Sequence, residues 1–166
     1  MENYFIQIKG PDIKGESTSA QGKDKIELLS WSQSVSMPMT SNSHSNTSAK
    51  HGKSDFSDLT ISKYMDSTTP ILNQHTAGGT NFKSALLTVY MNDKDTGAPI
   101  EYYSIDMEDI IITSVSVGAG GSDRAVETLT LHFNKIKWTY TPQKRDSPGA
   151  GSGKVAGSWN LEKNTK

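Results

Sequence analysis

The stretch AVETLTLHFNKIKWTYT, residues 125–141, decides the fold class. Its apolar side chains fall at alternate positions in two runs that are out of phase: Leu129, Leu131 and Phe133, then Ile136, Trp138 and Tyr140. A period of two residues indicates a β-strand with one buried face. Because a one-residue slip would send half of these side chains to the wrong face, the pattern predicts a β-bulge near Asn134-Lys135. Such a bulge would bend the strand, as at the corner of a barrel.

Seven other segments have strand character and are separated by turn residues such as Gly, Pro, Asn and Asp. They are residues 4–9, 25–37, 56–64, 82–91, 100–107, 109–118 and 155–161. With about eight strands, the chain is predicted to be all-β. It would form a single β-barrel or two packed antiparallel sheets, flanked by one short α-helix.

The helix is expected in the segment STTPILNQHTAGG. Thr68 or Thr69 is suited to cap its N-terminus, and Pro70 fits its first turn, where a missing N–H costs nothing. Gly78-Gly79 is expected to end it. A helix of about two turns with a small apolar face would cover one side of the barrel.

The length and composition set limits on the function. The chain has 166 residues, which predicts one domain over residues 1–166. Its formal net charge is −1, so there is no basic excess to hold a nucleic acid backbone. Cysteine is absent, which excludes disulfides, thiolate metal sites and cysteine nucleophiles.

The N-terminal sequence MENYFIQIKG has no basic region, apolar core or small-residue cleavage site of a secretory signal. No apolar run approaches the roughly 18–20 residues that cross a bilayer. We therefore expect cytoplasmic synthesis without a signal peptide, no membrane insertion, and export by a dedicated route if the protein leaves the cell.

No catalytic constellation emerges from the sequence. The histidines His44, His51, His75 and His132 are scattered, and no acidic cluster stands near them at ligand spacing. The serines lack the G-x-S-x-G context of an activated nucleophile. The sequence predicts that the protein is not an enzyme and has no cofactor or metal.

A column of small hydroxyls follows one face of the strand predicted at 25–37. Ser30, Ser32, Ser34 and Ser36 alternate there with apolar residues. A solvated strand face more often carries Lys, Glu and Thr, so the column needs an explanation. It lines either an open channel or a face that another element covers.

A long polar segment, residues 37–55, separates the second predicted strand from the third. Connections longer than about 12–15 residues without secondary structure are uncommon in compact domains and are usually functional or disordered. The segment is therefore either a tolerated insertion or a loop that becomes ordered on contact with a partner.

Six segments, taken in order, resemble the haemolysin-coregulated proteins (Hcp), the tube subunits of bacterial type VI secretion systems. They are FIQIKGPDIKGES, IELLSWSQS, DLTISKYMDSTTPILNQHTAGG, IIITSVSVGAGGSDRAVETLTLHF, KIKWTYTPQK and SWNLEKN. The resemblance covers the whole chain. It is weakest in detail in the 37–55 segment and in the NDKDTGAP turn.

The resemblance implies a barrel flanked by one helix and hexameric rings that stack into a hollow tube. It also implies a contractile sheath, a spike protein and effector proteins carried in the lumen as partners, with secretion through the type VI system. Under this interpretation the serine column faces the lumen and its cargo, and the polar loop joins stacked rings. The lumen residues would be Ser30, Ser32 and Ser34, and the ring-stacking residues Thr40, Asn42, His44, Asn46, Lys50 and His51.

Two other functions remain open on sequence grounds. The fold of the family is shared with phage tail tubes, so a phage-like tail tube subunit would show the same patterns. A monomeric β-sandwich binding module for a sugar or lipid would also have an all-β sequence, but it would stay a single subunit in solution.

Overall fold

The structure, a computed structural model, describes residues 2–40, 50–93, 96–121, 124–142 and 153–166. Its elements are twelve β-strands and one α-helix. In chain order they are β1 (Glu2–Lys9), β2 (Ile26–Leu28), β3 (Ser30–Ser32), β4 (Val35–Ser36), β5 (Met39–Thr40), β6 (Lys50–His51), β7 (Asp55–Phe56), β8 (Leu59–Tyr64), α1 (Thr68–Ala77), β9 (Asn81–Asn92), β10 (Pro99–Gly118), β11 (Val126–Tyr140) and β12 (Val155–Asn160).

The main sheet curls into a barrel. Its strand order is β2-β1-β9-β10-β11-β8-β3, with β12 paired to β11, and every pairing is antiparallel. The two ends of this order, β2 and β3, are separated only by Leu29, whose N–H donates to the Ser62 carbonyl at 2.8 Å. The two ends of the sheet therefore meet, which confirms the predicted all-β barrel.

The barrel interior is a continuous apolar core. Strands β1, β8, β9, β10 and β11 alternate inward and outward side chains, and the inward ones are almost fully buried. Among the largest of them are Phe82, Phe133, Leu59, Ile105 and Ile6. This burial is the main source of stability, at about 25 cal/mol for each Å² of apolar surface removed from water.

The opening stretch forms strand β11 as predicted, but the predicted bulge near Asn134-Lys135 is wrong. Pairing with β10 keeps its register through this point, with Ile110 opposite Phe133 and Glu108 opposite Lys135. In both strands, the alternation of inward and outward side chains shifts by one residue between these two pairs. Asp109, which lies between them in β10, has a positive φ of 53°. A bend in one strand is thus matched by its neighbour, and no residue has to be inserted.

Two strand boundaries also differ from the prediction, and a bulge lies elsewhere. The segments predicted at 100–107 and 109–118 form the single strand β10, since the backbone of Asp109 absorbs the irregularity. The segment predicted at 56–64 divides into β7 and β8. The register of β10 and β11 shifts between Ile112 and Ser114, where a real bulge lies.

The strand predicted at 25–37 is broken into β2, β3 and β4. Its buried apolar residues are Ile26 and Leu28, whereas Leu29 is exposed and Trp31 is half-buried against the ring of Tyr103. The inward phase therefore switches at Leu29, where the chain passes from the β1 edge to the β8 edge. On the apolar face predicted from Leu29 to Met37, Trp31 packs against the core, whereas Leu29, Val35 and Met37 are exposed.

Helix α1 begins and ends as predicted, but its cap is different. Asp66, rather than Thr68 or Thr69, accepts hydrogen bonds from the N–H and the hydroxyl of Thr68. Gly78 and Gly79 end the helix, and Gly79 has a φ of 61°. Leu72 is fully buried and attaches the helix to the barrel.

A buried ionic cluster joins the start of α1 to the barrel. Lys63 and Glu127 are paired across β8 and β11, and both side chains are 0% exposed. The Lys63 ammonium lies 2.9 Å from Glu127 Oε1 and 2.8 Å from Asp66 Oδ1. Glu127 Oε2 is buried without a hydrogen-bond donor among the described residues. The cluster therefore depends on Lys63, the cation that its two carboxylates share.

Asp66 is expected to make the free energy of unfolding depend on pH in the acidic range. Burial raises the pKa of its carboxyl, but hydrogen bonds from Lys63 and Thr68 outweigh burial and hold the pKa below its ordinary value of 3.8. The stabilisation is therefore complete above pH 3.8 and is lost as the pH falls through the lower folded-state value. When the free energy of unfolding is measured from pH 7 down to pH 2, it should decrease below about pH 3.8. In Asp66→Asn this decrease should be smaller. An unchanged slope in that variant would contradict this role.

Candidate functional site

Eight small hydroxyl side chains form two rows across four strands of the barrel. The residues of each row are direct pairing partners from β3 through β8 and β11 to β10. The rows are Ser30, Ser62, Thr128 and Ser116, and Ser32, Thr60, Thr130 and Ser114. We call these eight residues the hydroxyl face. Since neighbouring strands lie about 4.8 Å apart, each row is about 14 Å wide.

The hydroxyl face points away from the core. In β8 and β11 its residues alternate with the inward side chains Leu59, Ile61, Leu129 and Leu131. Its members are half-buried or exposed. A sheet face built only from Ser and Thr is shallow and neutral, and it is covered with hydrogen-bonding groups.

Hydrogen bonds within the face hold its hydroxyls in place. Ser30 Oγ lies 2.6 Å from Ser62 Oγ, and Ser114 Oγ lies 2.6 Å from Thr130 Oγ1. The bulge in β10 adds Thr113 to the same side, with its Oγ1 2.7 Å from Thr130 Oγ1. The bulge thus increases the density of hydroxyls on this face.

The structure separates the predicted lumen residues. Ser30 and Ser32 belong to the hydroxyl face, but Ser34 lies outside both rows. Its backbone N–H and carbonyl bond to Ser57, at the point where β3 gives way to β4. Ser36 lies further on, in β4. The column of four serines is therefore not one continuous strand face.

A hydrogen-bonded histidine–aspartate pair lies beside the hydroxyl face. His132 points outward, opposite in phase to Leu131 and Phe133, and its Nδ1 is 2.9 Å from Asp58 Oδ1. Thr113 Oγ1 donates to the other carboxylate oxygen of Asp58 at 3.2 Å. These contacts link the pair to the hydroxyl network and place charge at one border of a neutral surface.

The predicted loop at 37–55 is partly a two-stranded ribbon. Beyond β3 and β8, the chain pairs β4 with β7 and then β5 with β6. We call residues 35–40 and 50–56 the ribbon. Its first arm carries Val35, Met37 and Met39, which are 49%, 48% and 53% exposed. A row of exposed apolar residues favours contact with another protein surface.

The predicted ring-stacking residues are only partly described. Thr40 lies in β5, and Lys50 and His51 lie in β6, with Thr40 paired to Lys50 and Met39 to His51. Asn42, His44 and Asn46 lie outside the described residues. The backbone of the described members is thus part of the ribbon.

Strand β12 is at the edge of the sheet. In the described part of the chain it pairs with β11 alone, and residues 155–158 are exposed. Val155 is paired with Tyr140, and both side chains are exposed. Unpaired backbone groups next to exposed apolar side chains are suited to pairing with another chain.

Across the described ranges, no three His, Asp or Glu side chains come together as metal ligands would. Within the same residues, no helix is both long and apolar enough to span a bilayer.

The sequence matches the family model described as "Type VI secretion system effector, Hcp" over residues 5–140. The chain belongs to the Hcp family. It is 33% identical over 165 residues to the protein Hcp1 of Pseudomonas aeruginosa, covering 99% of this chain and 98% of that one. Hcp proteins are secreted structural tube components of type VI secretion systems.

Solved structures of Hcp proteins share the fold. Hcp1 from Salmonella typhimurium is 25% identical, with a TM-score of 0.79 over 99% of this chain and 97% of that one. A further structure, described as a type six secretion system protein, is 25% identical, with a TM-score of 0.87 over 99% of both chains. The Hcp resemblance is therefore confirmed in both sequence and fold.

Proposed function

We propose that this Hcp protein forms rings of six copies that stack head to tail into a hollow tube, with effector proteins carried in the lumen. In this proposal residues 1–166 act as one tube domain. A contractile sheath surrounds the tube and a spike protein caps it. The protein is made in the cytoplasm and leaves the cell as part of the expelled tube. The observation that best supports this is the hydroxyl face.

The hydroxyl face has the properties that a channel wall needs. A wall must stay wet, leave room for cargo and release it, which favours short neutral side chains over long or charged ones. Hydroxyls provide hydrogen bonds of about 0.5–1.5 kcal/mol each, so contacts with cargo form and break easily. The apolar core behind the face keeps the sheet rigid without contributing apolar groups to the lumen.

Closure of a ring requires two different surfaces on each subunit. The free edge of β12 offers one of them, with Val155 and Tyr140 beside it. Stacking requires a further pair of surfaces, and the ribbon offers one of those. Edge strands and apolar ribbons are liabilities in a monomer. Their presence supports assembly over a monomeric binding module.

The variant Ser32→Gln tests the lumen assignment. A glutamine on each subunit would extend six longer side chains into the channel while leaving the core untouched. We expect rings of unchanged mass that retain at least about tenfold less co-purifying effector protein, equivalent to about 1.4 kcal/mol of binding. The matched control is Ser67→Gln, at an exposed position beside α1. Rings of Ser32→Gln with undiminished cargo would overturn the assignment.

A phage-like tail tube would use the same surfaces in a different particle. The Hcp family membership favours the secretion tube over that alternative. The monomeric binding module makes a different prediction for mass. Size-exclusion chromatography with light scattering should give a mass well above one subunit of 18.1 kDa, whereas a single-subunit mass at high concentration would support the binding module.

A further inference from the structure

The ribbon is attached to the barrel through an aromatic stack. In β7, the ring of Phe56 lies nearly parallel to the indole rings of Trp138 and Trp159, at centroid distances of 6.2 and 6.4 Å and interplanar angles of 14° and 25°. The same ring meets Phe133 of the core edge-on at 6.5 Å. The apolar side chains of the first arm are exposed, so within the described ribbon Phe56 is the apolar residue that packs against the core.

The first arm reaches the same tryptophan. Gln33, just before the ribbon, accepts a hydrogen bond from Trp138 Nε1 at 3.3 Å. The two arms are tied together at their root, where the Ser34 N–H donates to Ser57 Oγ at 2.7 Å and the Ser57 N–H donates to the Ser34 carbonyl at 3.0 Å. The root of the ribbon therefore moves as one unit, with Phe56 and Gln33 as its contacts with Trp138.

Beyond Phe56 the second arm stands away from the barrel. A cleft of about 290 Å³ lies between residues 53–55 on one side and Trp159, Leu161 and Asn164 on the other. The cleft leaves space into which the arm can tilt. The contact at Phe56 therefore sets the angle at which the ribbon leaves the barrel.

The position of Trp159 depends on strand β12. After Trp159, Leu161 packs against the core and donates its N–H to the Asn134 carbonyl at 2.7 Å. Before it, residues 155–158 are exposed and, in the described part of the chain, pair with β11 alone. A strand with few buried contacts opens at a lower cost in free energy than a core strand. When β12 opens, Trp159 loses its fixed position against Phe56.

We propose that closure of the ring at β12 fixes the ribbon through Trp159 and Phe56, so that the closed ring presents the ribbon in its stacking position and the free subunit does not. This inference rests on the proposed tube function, and it couples two contacts of the tube. A neighbouring copy that covers β12 holds Trp159 in place, and Trp159 holds Phe56. Because linkage between sites is reciprocal, a fixed ribbon also stabilises β12. Phe56 is a positioning residue, and its role requires no contact with the adjoining ring.

Hydrogen exchange of backbone amides, followed by mass spectrometry, measures the coupling from the ribbon side. Phe56→Leu removes the stack but keeps an apolar side chain, whereas Phe56→Tyr keeps the stack. In Phe56→Leu, the β12 amides that bond to β11 should exchange at least about tenfold faster, equivalent to about 1.4 kcal/mol. Amides of β1 and β9 should not change, and Phe56→Tyr should exchange as the natural protein does. Unchanged exchange of β12 in Phe56→Leu would overturn the proposal.

Breaking the ring measures the coupling from the other side. Val155→Lys places a charge at the free edge of β12 and should leave single subunits, because edge lysines oppose strand pairing. The ribbon amides should exchange at least about tenfold faster in these subunits than in natural rings, and Phe56→Leu should abolish this difference. A difference that persists in Phe56→Leu would show that the ring covers the ribbon directly. Rings of Val155→Lys would show that closure does not use β12, and either result overturns the proposal.

Stacking provides the functional measurement. Phe56→Leu should keep the mass of the ring but reduce stacking into tubes at least about tenfold by sedimentation, and Phe56→Tyr should restore it. Tyr90→Leu, at a half-buried aromatic residue of β9, is the matched control and should stack normally. Normal stacking of Phe56→Leu rings would show that the ribbon does not need the stack. A natural protein that forms no rings would instead refute the tube function itself.

Discussion

Replacing Lys63 with methionine is expected to lower the free energy of unfolding by roughly 3–5 kcal/mol. The methionine fills a similar volume, but it leaves Glu127 fully buried beside Asp66 with no cation. Removing one partner of a buried ion pair is among the most destabilising changes, because the remaining charge has neither water nor a counter-ion. Urea denaturation at pH 7 measures the loss directly.

Two further variants separate the buried charge from the general effect of the substitution. Lys63→Met/Glu127→Leu removes both charges and should be more stable than Lys63→Met alone, since apolar residues can replace a buried pair. Lys135→Met breaks an exposed pair with Glu108, 2.8 Å apart across β10 and β11, and should lower the free energy of unfolding far less than Lys63→Met does. A double variant as unstable as the sum of its single variants would contradict this account of the cluster.

Shortening the ribbon is expected to abolish tubes while leaving rings intact. The change replaces residues 39–51 with Asn-Gly. It joins Pro38 to Gly52, whose N–H already donates to the Pro38 carbonyl at 3.0 Å. A two-residue Asn-Gly turn closes such a hairpin without strain, and β4 and β7 keep their pairing. Electron microscopy should show annular particles with no stacked tubes.

A replacement of the same length controls for the loss of chain. Residues 39–51 are exchanged for a Gly-Ser segment, which keeps the reach of the loop but removes Met39, Lys50 and His51. This variant should also fail to stack if the side chains make the contact. Tubes of natural length from the shortened protein would show that stacking does not use the ribbon.

The sequence predicted those elements whose pattern is local. The alternation in β11 and the Thr-Pro start and Gly-Gly end of α1 are properties of short segments, and both elements were confirmed. The capping residue was wrong because Asp66 has a second role. Its carboxylate binds the Lys63 ammonium as well as the Thr68 N–H, so the buried lysine holds it beside the first turn.

The phase changes depend on tertiary structure. Leu29 fits the apolar face predicted for 25–37, but closure of the barrel turns it outward, since it links the two edges of the sheet. A bend at Asp109 is matched across the ladder in β11. The periodicity of one strand shows that its inward-facing positions shift. Whether the shift is made by a bulge or by a shared bend depends on the strand paired with it.

The sequence predicted only part of the hydroxyl face. The serines at 30 and 32 were predicted, and the same period of two occurs in LTIS, ITSVS and TLT. What joins these segments into rows is the register between strands, which no single segment contains. The buried pair had a signal of its own, because Lys63 follows Leu59 and Ile61 on the inward phase. A charge in that phase indicates a buried partner.

The measurement that tests the central claim most directly is electron microscopy of the purified protein at high concentration, together with its mass in solution. We predict annular particles with sixfold symmetry, an open centre and a mass about six times 18.1 kDa. Particles that remain single barrels of 18.1 kDa, with no central hole at any concentration, would contradict it.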